Sequence, residues 1–251
     1  KLKNNKVGKN LSIATISLLL VLASTKAQQV FDALTKAWKA ACAVAGSKVV
    51  ISTGGYKLGA IEFNLRGTLQ APSDVASFNG KDGWVVFEHI DGLTVSGGGV
   101  FDGKGQQAWQ KNECSKEKSC NVLPINIRFD YVTNSKVQDI TSKDSKFFHI
   151  NLLECKKLQF QHVTITAPAD SPNTDGIHVG RSSQTTITNA NIGTCDDCIS
   201  VGDGAQDITV NQVTCGPGHG ISIGSLGRYE NEEPVSEIRV TSATLSNTKN
   251  A

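Results

Sequence analysis

The chain has 251 residues, 39% hydrophobic and 19% charged, with a formal net charge of only +2. These values exclude a disordered chain, a collagen and a coiled coil, and no basic face of the size that nucleic acid demands stands out. The length allows a substantial core, and no linker-like stretch divides the chain, so one main domain is expected.

Lys1, Lys3, Lys6 and Lys9 precede an apolar run from Leu11 to Ala23, and Thr25-Lys26-Ala27 then places small residues before a cleavage point. This is the anatomy of a secretory signal peptide, with an apolar run too short for a comfortable membrane span. The expectation is cleavage after Ala27 and a mature chain from Gln28 to Ala251, secreted and free of the membrane. The absence of Met at position 1 suggests a reading frame that starts earlier. All seven Cys (42, 114, 120, 155, 195, 198 and 215) follow the cleavage point, in a compartment that permits disulfides, and an odd number leaves at least one thiol over. The only glycosylation sequon, at Asn10, lies inside the leader.

Phe31 to Ala45 reads as a short capping helix, with Asp32 at its start and Leu34, Ala37, Trp38 and Ala41 on one face. From Lys48 onward the texture changes to short β-rich runs broken by Gly, Asn, Asp and Ser. They include Lys48–Ile51, Trp84–Phe87, Gly92–Val95, Ile125–Phe129, Lys157–Phe160 and Val163–Ile165. Asp175-Gly176-Ile177-His178-Val179-Gly180, Asp197-Cys198-Ile199-Ser200-Val201-Gly202 and His219-Gly220-Ile221-Ser222-Ile223-Gly224 then align at a strict 22-residue period. Thr185–Thr188 and Asp207–Val210 supply a second strand between them. Ile127 with Ile150, and Val137 with Leu158, extend a looser period upstream.

A repeat of this length built of short strands predicts an all-β solenoid, a parallel β-helix whose coils stack about 4.8 Å apart. Leucine-rich repeats lack support, because their Leu-x-x-Leu-x-Leu signature is absent, and the period disfavours a β-sandwich. Stacking would place Asp175, Asp197 and His219 in one column, with Asp196 beside it. Three acids and an imidazole in register should have their pKa values pushed apart, the condition acid–base hydrolysis of glycosides needs. Adjacent strand residues face opposite ways, so Asp196 can join the column only if the backbone turns or bulges at Cys195-Asp196. Cys195, Cys198, Cys215 and His219 also carry a zinc-like spacing, but in a secreted chain a Cys198–Cys215 disulfide between neighbouring coils is the better reading. Calcium is disfavoured by the stacked His219. No cofactor or metal is expected.

Ser171-Pro172-Asn173-Thr174-Asp175-Gly176, Asp196-Asp197-Cys198-Ile199-Ser200 and Cys215-Gly216-Pro217-Gly218-His219-Gly220 resemble three signature segments of the polygalacturonases, the pectin-cleaving family 28 glycoside hydrolases. The resemblance runs from about Val30 to Ala251. Gly224–Tyr229, with Trp109 and Pro124–Asn126, looks most like the plant pollen exopolygalacturonase branch. It implies a right-handed parallel β-helix that hydrolyses α-1,4-galacturonosyl bonds of cell-wall pectin with inversion, monomeric at full length. By that resemblance Asp196 is the general acid, Asp175 and Asp197 hold and activate water, and His219 supports the acid. Asn173 would contact substrate, and Arg181 and Arg228 are candidate partners for substrate carboxylates.

The family's Arg-Ile-Lys segment would follow shortly after Asn247–Asn250. Cys195 stands where Gly usually precedes the paired aspartates, Asp32 passes directly into Ala33 without the family's extra Gly- and Asp-rich stretch, and the later coils are missing. These departures point to an incomplete chain and keep open an alternative, a catalytically impaired wall-associated or pectin-binding β-helix of the pollen-allergen kind. A lyase is a third, weaker reading.

Overall fold

The computed structural model describes residues 15–18, 48–51, 61–110, 123–228 and 230–250. They fall in two units, divided after Gly59. In the first unit, β1 (Thr15–Leu18) and β2 (Lys48–Ile51) pair in parallel. The expected capping helix over Phe31–Ala45 and most of the leader lie outside the described residues.

The second unit winds through seven coils. The first holds β3 (Ile61–Asn64), β4 (Thr68–Gln70) and β5 (Gly83–Glu88), with a 3-10 turn at Val75–Phe78. The second holds β6 (Leu93–Ser96), β7 (Val100–Asp102), the short helix α1 (Gln106–Gln110) and β8 (Ile125–Asp130). Then follow β9 (Thr133–Gln138), β10 (Thr141–Lys143) and β11 (Ile150–Leu153); β12 (Lys156–Gln161), β13 (Thr164–Thr166) and β14 (Ile177–Gly180); and β15 (Ser183–Thr188), β16 (Asn191–Gly193) and β17 (Asp197–Val201). β18 (Gln206–Asn211), β19 (Thr214–Cys215) and β20 (Gly220–Ile223) form the sixth coil, and β21 (Ser236–Thr241) with β22 (Thr244–Leu245) the seventh. Every coil sends one strand to each of two sheets, and the first six send one to a third, all pairing in parallel. This is a right-handed parallel β-helix.

Columns of like residues explain the stacking. Ile127, Ile150, Ile177 and Ile199 are successive partners in the third sheet and are fully buried. Phe87 stacks on Phe129 at 5.3 Å, and Phe160 meets Phe129 edge-on at 5.8 Å. Such packing holds strands too short to be stable alone.

The corners repeat as well. Asp139, His162, Asn189, Gln212 and Ser242, each just after its strand in the first sheet, all have φ of 53–54°. One left-handed residue turns the chain sharply, at a cost of about 1–2 kcal/mol each that the stacked sheets offset.

One upstream pairing differs from expectation. Val137 pairs with Phe160, and Leu158 with Ser135. Leu158 and Phe160 both point inward and are both buried, so the hydrophobic pattern could not choose between them.

Candidate active site

The site lies where chain enters the third sheet. Before β14, the segment Ser171–Asp175 is tied into a compact turn. Ser171 Oγ donates to the Pro168 carbonyl at 2.6 Å, and Thr174 Oγ1 donates to the Ser171 carbonyl at 2.8 Å. Asn173 takes φ 56° within this turn. Asp175 then emerges 6% exposed, and its carbonyl accepts from the His149 amide. Gly176 must be glycine, because a Cβ there would run into the Cys198 carbonyl and the Ile192 side chain.

One coil on, Cys195 and Asp196 form a bend before β17, as the strand-geometry argument requires. The Cys195 amide donates to Thr174 Oγ1 at 3.3 Å, which ties the two turns together. Cys195 does not take a positive φ, so a side chain is accommodated where the family usually has Gly. Its thiol is free and half-buried, and Cys155 is the other free cysteine among the described residues.

The register expected for the column is corrected at its lower end. Asp197 lies opposite Gly220 rather than His219, and a β-bulge between Asp197 and Ile199 restores the Ile199–Ile221 pairing. The bend at Cys195-Asp196, ahead of the bulge, brings Asp196 to the same cluster. Asp196 Oδ1 accepts from the Asp197 amide at 3.0 Å and lies 2.8 Å from His219 Nδ1. The His219 amide donates to the Asp196 carbonyl at 2.9 Å. Gly218 permits this approach, since a Cβ there would sit 2.6 Å from the Asp196 carbonyl oxygen.

Two serines outside the expected set hold the other acids. Ser200 Oγ donates to Asp175 Oδ2 at 3.1 Å, and Ser222 Oγ donates to Asp197 Oδ2 at 2.6 Å. Both bonds run from a serine in one coil back to an acid in the coil before. The 22-residue period already carried this signal, since His178, Ser200 and Ser222 share one position of the repeat. Lys249 lies beside these turns: its charge acts on the Cys195 thiol, and its amide donates to the Gly218 carbonyl at 3.0 Å.

Electrostatics follow from this crowding. Burial first, then the charges of Asp196 and Asp197, drive the Asp175 pKa well above the ordinary carboxylate range, while the Ser200 bond opposes the rise. Burial also raises Asp197, against the Ser222 bond. Asp175 therefore retains its proton at a pH where isolated carboxyls have lost theirs.

Single ligand atoms from Asp196, Asp197 and His219 lie within 4.8 Å of one another. Cys198 and Cys215 form the expected disulfide, with Cα atoms 5.9 Å apart, which removes them as zinc ligands.

The two candidate arginines both follow strands of the third sheet. Arg181 follows the far end of β14, about 20 Å of extended chain from Asp175. Its Nε donates to Asp203 Oδ2 at 3.0 Å. Arg228 lies in the loop after β20, its amide donating to Glu232 Oε1 at 2.9 Å.

Residues 43–251 match the glycosyl hydrolases family 28. The chain belongs to this family. It is 53% identical over 236 residues to an exopolygalacturonase of Platanus acerifolia, covering 89% of this chain and 62% of that protein. It is 45% identical over 264 residues to a polygalacturonase of Gossypium barbadense, covering 94% of this chain and 65% of that one. The chain thus spans less than two thirds of the length of these relatives. Among solved structures, it superposes on an endo-xylogalacturonan hydrolase from Aspergillus tubingensis with a TM-score of 0.70 at 25% identity, covering 88% of this chain and 62% of that one. A polygalacturonase from Erwinia carotovora ssp. carotovora gives a TM-score of 0.66 at 22% identity, covering 95% of this chain and 68% of that one, a likeness of fold.

Proposed function

We propose that this chain carries the catalytic centre of a secreted polygalacturonase that hydrolyses α-1,4-galacturonosyl bonds of pectin in the plant cell wall, in the exo mode. The observation that carries this reading is the clustering of Asp175, Asp196, Asp197 and His219 at one entrance to the third sheet, in a family 28 chain. The exo mode rests on the similarity to the Platanus exopolygalacturonase.

In this mechanism Asp196 protonates the leaving glycosidic oxygen. It is more exposed than Asp175, and His219 Nδ1 fixes its orientation. Asp175 and Asp197 hold the attacking water from two successive coils, and the carboxyl that accepts the water proton returns the cluster to its starting charge. Ser200 and Ser222 fix one oxygen of each acid, leaving the other to face the water. No step requires a metal ion. Inversion is the family's stereochemistry by resemblance. The anomeric configuration of the first product is its direct test.

Proton NMR of the first products from polygalacturonate provides that test. The expected result is a β-configured reducing end that later mutarotates, with no unsaturated product absorbing in the ultraviolet. An α-configured first product would overturn inversion, and an unsaturated product would replace hydrolysis with elimination.

A further inference from the structure

Asp175 poses a problem that the cluster does not solve. A base must ionise during turnover, yet this carboxyl is enclosed and faces two other acids, Asp196 and Asp197. Among its side-chain partners, Ser200 Oγ favours the ionised form. A serine hydroxyl has a single hydrogen and rotates freely unless its lone pairs are engaged.

The structure supplies that engagement. His178 Nδ1 lies 2.8 Å from Ser200 Oγ, across the β14–β17 pairing. With the Ser200 hydrogen on Asp175 Oδ2, the oxygen must accept from His178, so Nδ1 carries the imidazole hydrogen. The ring is held in place by Phe148, 5.3 Å away, and by the close backbone of Gly202, where a Cβ would come within 3.2 Å of Nε2. Burial keeps the imidazole neutral, against the pull of Asp203. His149, in the adjoining coil, is fully buried with its pKa lowered to about 3, so it adds no charge near Asp175. His219 faces Asp196 and Asp197 instead. Ser222 makes the equivalent bond to Asp197 one coil later, but its repeat-equivalent neighbour across the pairing is Ser200, not a histidine.

We propose that His178 is a positioning residue for the reaction: its Nδ1–H locks the Ser200 hydroxyl toward Asp175, which keeps that carboxyl able to ionise and to serve as base. This rests on the proposed hydrolysis only for its kinetic consequence. No proton is transferred along the chain of bonds; protons gained and lost by Asp175 exchange with the attacking water and solvent.

The test follows the Asp175 carboxyl carbon by NMR across pH in the full chain labelled at aspartate carboxyls, with Asp175→Asn to assign the signal. Ser200→Ala and His178→Phe should each raise the proton affinity of Asp175 about tenfold. His178→Asn, whose amide nitrogen takes the place of Nδ1, should stay near wild type. If the hydrolytic reading holds, the acid limb of the pH–rate profile moves by the same amount, with kcat reduced and KM little changed. An unmoved Asp175 midpoint in His178→Phe would overturn the proposal, as would equal shifts in His178→Phe and His178→Asn. A chain without hydrolytic activity would sink the proposed function and leave the carboxyl titration to decide the positioning role.

Discussion

Replacing both cysteines of the Cys198–Cys215 bridge with Ala tests how the active-site coil is held. The bridge joins β17, one residue past Asp197, to β19 in the next coil, across a separation of 17 residues. Closing a loop of that length removes about 10–11 cal/mol/K of entropy from the unfolded chain, or about 3 kcal/mol at 25 °C. For a chain of this size that corresponds to a fall in Tm of about 6–12 °C. Both sulfurs belong to buried residues inside the coil, so the two Ala side chains also leave a small void that pushes the change to the upper end. The bulge at Asp197–Ile199 is the feature next to the bridge, so activity should fall further than global stability alone explains at temperatures well below Tm. Scanning calorimetry of the wild type and the double variant at one pH measures the first effect, and product release at 25 °C the second. A Tm change below about 2 °C would refute the loop-entropy argument. Full activity in a variant destabilised as expected would refute the role given to the bridge in holding the bulge.

Asp175→Asn should make the protein more stable at neutral pH while abolishing hydrolysis. The folded pKa of Asp175 lies above its unfolded value, so the wild type loses stability as pH rises from the unfolded toward the folded pKa. The variant escapes that loss. Its advantage, about 0.5–2 kcal/mol at pH 7, should vanish below about pH 4, as thermal denaturation across pH will show. Gly176→Ala should cost about 1–3 kcal/mol, because the new Cβ meets the Cys198 backbone and can be relieved only by separating β14 from β17. Wild-type Tm in that variant would show that the contact is not restrictive.

Much of the architecture was legible because a solenoid writes its geometry into sequence as a period. Where coils are of equal length, as from Ile177 to Ile199 and Ile221, the repeat identified both the buried column and the acid cluster. Where loops are inserted the period breaks: Ile150 and Ile177 are partners 27 residues apart, and Val95 and Val137 are 42 apart. Side-chain alternation then constrains facing but not register, which is why Leu158 was matched with Val137 in place of Phe160. The bend before Asp197 followed from the need to bring Asp196 round, whereas the shift from His219 to Gly220 did not. It depends on Gly218 and Gly220 adopting φ of 155° and 112°, a freedom that a residue count cannot reveal. Ser200 and Ser222 were visible in the same aligned hexapeptides as the acids. A serine in a strand carries no functional signal until its partner across the coil is known.

The measurement that bears most directly on the account is reducing-end release from polygalacturonate by the folded chain, with Asp196→Asn and Asp197→Asn as companions and product length followed. The account predicts galacturonate monomers from the wild type, with a loss of about 100-fold or more in each variant, as expected when an acid or base acting in the transition state is removed. Unchanged release in both variants, from chains shown to be folded, would contradict the assignment of hydrolysis to this cluster.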